Sequence, residues 1–225
     1  MKKKDDRVYQ GILDLVFCGD RKPGSKLVEE QLAGELGVSR VPVRESLKRL
    51  VGQGILVGGG KGESVRIRDY SPDDVRHLYE YREVLEGVAA RAAAQVASAT
   101  DIARLEIICQ QAASEIPDCH DLRWQELDQH FHFALADASH NRRIIPQLRM
   151  LVTECRYVFF VFPHPSTDSQ HSAEHLNRVH GDHMALLELI KSRDSEGAEM
   201  RARTDMRKSA GIVLRLMIAG DLKLS

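Results

Sequence analysis

Two aspartates and two histidines in the second half of the chain have the residue types of a divalent-metal site. Asp128 and His132 are four residues apart, which puts both on one face of a helix. His183 and Asp205 lie eleven residues either side of Asp194, where the last two helical stretches turn. In an antiparallel hairpin, equal distances from the turn set two side chains next to each other. Asp128 shares its stripe with Trp124, Phe131 and Leu135, and His132 stands at the edge of it. His183 sits among Leu176, Val179, Leu186, Leu187 and Ile190, and Asp205 among Ala198, Ala202, Ser209, Ile212 and Leu216. Polar groups on such stripes need partners once buried. Imidazole and carboxylate together suit Zn, Ni, Mn or Fe. Each member also has a plainer reading: an ion pair for Asp128–His132, a core hydrogen bond for His183, and an acceptor role towards Arg82 or His183 for Asp205. Arg82 is another inward polar residue, amid Val75, Leu78, Leu85, Ala89, Ala93 and Val96. Arg149 and Arg156 on the fourth bundle helix could line the same cavity.

A second set of residues is basic and lies near the front. A helix over 6–17 is followed by the turn Arg21-Lys22-Pro23-Gly24-Ser25, then a short helix over 28–36 stopped by Gly37. Ser39 is placed to cap a third helix, with Pro42 in its first turn, where a missing N–H is tolerated. Val43, Leu47 and Leu50 form its apolar face. Two short helices joined by a glycine-containing turn make a helix-turn-helix, whose second helix enters the major groove. Arg40 can offer guanine a planar fork, Arg44 follows one turn on, and Lys48 and Arg49 suit phosphates. Beyond Gly54 the apolar Ile55-Leu56-Val57, the run Gly58-Gly59-Gly60-Lys61-Gly62 and a strand over 64–68 predict a hairpin wing, with Lys61 and Gly62 at a tip fit for a minor groove.

The whole chain agrees with this division. Its 225 residues carry 32 basic and 33 acidic side chains, but residues 1–70 hold 14 basic against 10 acidic and the rest 18 against 23. All ten histidines fall after residue 70. A basic head suggests a polyanion as its partner. No run reaches the roughly 18–20 apolar residues of a membrane helix, and the Met1–Arg7 segment lacks signal-peptide features, so a cytoplasmic location is expected. Cys18, Cys109, Cys119 and Cys155 form no C-x-x-C pair and read as small hydrophobes. Asp69–Asp74 marks the boundary, with Ser71 as cap and Pro72 as first helical residue. The expected fold is mainly α: a winged helix-turn-helix over 1–70 and an all-helical bundle over 71–225. Its six helices are placed at about 72–98, 101–115, 120–138, 141–162, 173–191 and 195–217 by the helical period.

The segment Ser39-Arg40-Val41-Pro42-Val43-Arg44-Glu45-Ser46-Leu47, with Gln31-Leu32-Ala33 and Leu36-Gly37-Val38 before it and Arg49-Leu50 and Gly54 after it, resembles the GntR family of bacterial transcription regulators. The resemblance implies that Arg40, Arg44, Arg49 and Gly62 contact operator DNA. Leu78–Gly87, Asp128-x-x-Phe131-His132 followed by Asn141, and Asp182-His183-x-x-Leu186-Leu187-x-x-Ile190 resemble the FCD ligand-binding domain of the FadR subfamily. That likeness implies a metal held by Asp128, His132 and His183, a small carboxylate effector, and an arginine at Arg82 to pair with it. A third family histidine is replaced by Asp205, which can still ligate; His180 is a possible stand-in, and a metal-free polar pocket is the alternative. The expected protein is a homodimeric DNA-binding regulator, a repressor by preference, and not an enzyme. A metal-responsive regulator without an organic effector and a metal-dependent hydrolase are the competing readings.

Overall fold

Alanine and glycine on one helix face decide which helices can approach closely in the larger half of this chain. The computed structural model describes residues 2–17, 21–60, 62–116, 121–161 and 173–224. They divide into two compact units, Met1–Ser71 with Tyr157–Phe162, and Pro72–Arg156 with Pro163–Ser225.

In the first unit α1 (Lys2–Phe17), α2 (Glu29–Glu35) and α3 (Arg40–Gly52) precede a two-stranded antiparallel hairpin, β1 (Leu56–Val57) and β2 (Arg66–Ile67). Ile12, Leu32, Leu47, Leu50, Ile55, Leu56 and Ile67 are fully buried. Ser39 occupies the N-cap position of α3, but its side chain makes no capping bond. The second strand is shorter than 64–68, and Leu27 and Gly24 donate backbone N–H groups to the Val65 and Ile67 carbonyls. Gly58 cannot be replaced freely: its φ is +85°, and a Cβ there would lie 2.4 Å from the Ser64 carbonyl oxygen. Lys61 lies outside the described residues.

The second unit is all-helical: α4 (Pro72–Val96), α5 (Ala99–Glu115), α6 (Asp121–Ala138), α7 (Ile144–Val161), α8 (Ala173–Lys191) and α9 (Ser195–Leu224). Ala90, Ala93 and Ala94 of α4 join Leu105, Phe131, Leu135, Leu187, Ile190 and Ala202 in one core. Gly87 lets α9 come close, since a Cβ there would meet Arg203 at 2.8 Å. Two helix starts differ from expectation for local reasons. Ser98 and Asp101 form a reciprocal capping box, so α5 begins at Ala99 rather than 101. Asn141 Oδ1 accepts from the N–H groups of Arg143 and Ile144, which delays α7 to Ile144. The break expected at Pro163–Ser166 lies outside the described residues. Cys109 and Cys155 are buried free thiols, while Cys18 and Cys119 lie outside the description.

Gly58→Ala should strain the wing by about 1–2 kcal/mol through its left-handed backbone alone. Native-state hydrogen exchange at the Ile67 and Arg68 amides should then accelerate by about tenfold; unchanged protection would show that the wing tolerates a Cβ.

Candidate functional site

The third helix of the head presents a basic stripe. Arg40, Arg44 and Lys48 follow one another at four-residue spacing, and their side chains are 58%, 49% and 66% exposed. They border a groove of about 620 Å³ between α3 and the glycine run Gly58–Gly60. Glu29, from the first turn of α2, faces the stripe. Its carboxylate accepts Arg44 Nε at 2.9 Å and Nη2 at 2.8 Å, and Arg40 Nη2 stands 3.7 Å away. The Arg44 hydrogen bonds hold the Glu29 carboxyl below the usual carboxylate range. Lys48 pairs with Glu45 at 3.0 Å. Arg49 is not part of the stripe. It lies nine residues past Arg40, about half a turn round at 100° per residue, and its guanidinium stacks 3.8 Å from the Tyr9 ring centroid. Gly62 has φ +86°, with open space around it.

In the bundle the structure brings together three of the expected ligands. Asp128 and His132 from α6 and His183 from α8 each offer a donor atom, all within 4.8 Å of one another. His183 Nε2 is 3.4 Å and His132 Nε2 4.0 Å from Asp128 Oδ1. Phe131 stacks on the His183 ring at 4.0 Å between centroids, and the two imidazoles meet edge to face. Behind His132 stands a residue that the sequence reading passed over, Glu86 of α4. His132 Nδ1 lies 2.9 Å from its carboxylate, and Arg82 Nη2 lies 2.8 Å from Oε1. Burial by itself would raise Glu86, which is 1% exposed, but His132 and Arg82 pull it down to about 2. As a carboxylate it can only accept, so His132 Nδ1 donates to it, and in the neutral imidazole Nε2 is left as the lone-pair nitrogen. This is the orientation that a carboxylate behind a ligand histidine gives a metal site. Separations of 3.4 and 4.0 Å also suit donors that sit about 2.0–2.2 Å from a shared ion. The donor set fits a divalent transition metal. The i, i+4 spacing of Glu86 from Arg82 was the signal available for finding it.

Arg82 is buried and gives both Nε and Nη2 to Glu86. Asp205 does not join the group. It accepts Arg201 Nε at 2.9 Å and Lys208 Nζ at 3.3 Å, and burial and nearby Asp182 raise its carboxyl. Asp182 pairs with Arg201 and Lys208 as well. The register of the α8–α9 hairpin is as expected, but Asp182 rather than His183 faces Asp205. One position along a helix is about 100° of rotation. His180 is not among the three donors either. Arg149 pairs with Asp137 at 2.6 Å, and Arg156 Nη1 donates to Gln129 at 3.0 Å.

The family models settle what kind of protein carries these two sites. The gntR family of bacterial regulatory proteins matches residues 4–62, and the FCD domain matches residues 77–208. The chain belongs to the GntR family, in its FCD class. It is similar to the HTH-type transcriptional regulator YdhC of Bacillus subtilis, 28% identical over 195 residues, covering 85% of this chain and 82% of YdhC. The Glc operon transcriptional activator of Escherichia coli is 33% identical over 172 residues, covering 66% of this chain and 68% of the activator. The solved structure of E. coli McbR/YncC shares the fold at a TM-score of 0.78 and 19% identity, covering 94% of this chain and 97% of that one. This GntR protein is thus a DNA-binding transcription regulator, and its family and relatives are regulators rather than enzymes. No helix among its described residues is long and apolar enough to cross a membrane.

Replacing Glu86 by Gln leaves the Arg82 charge buried beside a neutral amide, and should cost about 3–5 kcal/mol of stability in urea unfolding. Burial also lowers His183 to about 4 from its ordinary 6.5. The unfolded chain then takes up the proton first, so chelator-treated protein should lose stability as pH falls from about 6.5 towards 4. His183→Gln should flatten that part of the stability–pH curve; an unaltered curve would assign the loss to other groups.

Proposed function

We propose that this regulator is a homodimer whose two heads hold the half-sites of a near-palindromic operator, and that a small organic acid bound in the helical unit sets its affinity for DNA. Arg40 and Arg44 are the base-reading residues in this reading. Lys48 serves phosphates, Arg49 would reach one only by leaving the Tyr9 ring, and Lys61 and Gly62 form the tip that enters the minor groove. DNA as partner places the protein in the cytoplasm.

The observation that supports the sensing role is the group of half-buried Asp128 with buried His132 and His183, oriented from behind by Glu86. Asp128, His132 and His183 would hold a divalent ion such as Zn, Ni, Mn or Fe, and that ion would supply a positive Lewis-acid centre for a carboxylate. Arg82 keeps Glu86 ionised and in place, and reaches an effector only if that pair opens. With Asp205 drawn off to Arg201 and Lys208, the chain would give three donors, which would leave an ion open to oxygen from solvent or effector. The effector can act only by binding one conformation better than another. Where the effector-free form is the one that holds the operator, the protein is a repressor. A relative is named as an activator, so the opposite sign is the second reading, and a promoter–reporter assay with and without effector separates the two.

The test is anisotropy on duplexes flanking the protein's own gene, with a panel of small mono- and dicarboxylates, with and without Zn(II). Affinity should fall steeply and linearly with log salt. Arg40→Ala should lose about 1–3 kcal/mol of specific binding with the helical unit still folded. Carboxylates should weaken binding by the metal-loaded protein and not after chelation. No binding at low salt overturns the DNA reading of this face. An equal response after chelation removes the metal, and a response to Zn(II) alone makes the metal itself the signal.

A further inference from the structure

Among the described residues Glu29 is the acidic side chain set against both leading arginines of the reading helix, and its geometry is more specific than charge neutralisation requires. Arg44 gives it the side edge of the guanidinium, with Nε 2.9 Å from Oε1 and Nη2 2.8 Å from Oε2. That edge being taken, the opposite end of the fork, formed by Nη1 and the second hydrogen of Nη2, remains. It belongs to a side chain that is 49% exposed, on the same stripe as Arg40. A guanidinium end is the shape that pairs with O6 and N7 of guanine. A phosphate can take the same fork but is also held by a freely swinging charge, so a fixed direction matters most for a base edge.

Resting on the DNA-binding assignment of α3, we infer that Glu29 is a specificity-determining positioning residue: it buttresses Arg44 so that this arginine reads a base edge, in addition to Arg40. The carboxylate acts in two ways. It restricts the rotamers of a long side chain before DNA arrives, so less freedom is lost on pairing with a base. It also removes one unit of charge from a face carrying Arg40, Arg44 and Lys48, which weakens attachment to arbitrary phosphates. Both effects widen the gap between the right sequence and any other. Neither depends on fold stability, because an exposed pair of this kind contributes little to folding.

Opposite signs make the inference testable. Full-length protein is used to select from a random-sequence duplex library, and affinities are then measured for the enriched duplex and for a scrambled one across a salt series. The wild type should enrich guanine at two positions per half-site. Glu29→Gln should lose the preference at one of them, with discrimination between enriched and scrambled duplex falling about tenfold. The same variant should bind the scrambled duplex more tightly at low salt, with a salt slope steeper by about 0.9. Arg44→Lys, which keeps the charge and loses the fork, should lose the same base preference. Glu30→Gln, the neighbouring acid in the first turn of α2, should leave the enriched sequence unchanged. The inference is overturned if Glu29→Gln or Arg44→Lys enriches the wild-type sequence with wild-type discrimination. Parallel weakening on both duplexes, with Arg44→Lys retaining the full motif, overturns it too, since that is the mark of a structural role. A wild type that enriches no sequence would instead overturn the DNA-binding assignment beneath it.

Discussion

The Glu86 carboxylate is the constraint on which the polar centre of the helical unit depends. A carboxylate this deeply buried survives as an anion because Arg82, from its own helix, balances its charge and His132, from α6, donates a hydrogen bond to it. Remove either and the remainder is a charge in a low-dielectric core. The arrangement is costly compared with an apolar core, and its return is directional. It fixes the proton of His132 on Nδ1 and turns Nε2 towards Asp128 and His183. Three polar side chains from two helices are thereby held facing one another, with Phe131 stacked on the His183 ring.

The head solves a related problem in water. Glu29 also orients a cation, but at the surface, where the same chemistry yields little stability and the gain lies in where a donor points. Buried, the carboxylate–cation pair decides whether the unit folds. Exposed, it decides how a folded unit meets its ligand. The stacking of Arg49 on Tyr9 is a third use of a cation, as a packing element between α1 and α3, and it explains why a basic residue close in sequence to Lys48 does not share its face.

Local patterning carried much of this into the sequence. The 3.6-residue period located the helices and set Asp128 and His183 on inward stripes with His132 at the edge of one; in the structure His132 and His183 are buried and Asp128 is half-buried. Local side-chain chemistry moved two helix starts, through Ser98 with Asp101 and through Asn141. What resisted reading was interaction between elements distant in sequence. Glu86 matters because of His132, 46 residues away, and Glu29 because of Arg44, 15 residues away. Neither stands out on its own helix: Glu86 beside Arg82 looks like an ordinary surface pair, and Glu29 is one of two acids in the first turn of α2. Asp205 shows the complementary difficulty. Counting from a turn gives the level at which two antiparallel helices meet, but not the rotation of each about its axis.

That rotation has a consequence for how the bundle is divided. Asp182 and Asp205 share Arg201 and Lys208, two acids against two bases, so the α8–α9 contact is closed by charge pairs that need no ion. His183, next to Asp182 in sequence, points to the other side and meets Asp128. One turn of α8 therefore serves two separate polar clusters, one pinning α9 and one facing α6. A histidine in place of Asp205 could not accept from both Arg201 and Lys208 as a carboxylate does. The acid at this position thus favours a self-sufficient helix pair over a fourth donor, and whatever binds at Asp128, His132 and His183 can come and go without releasing α9.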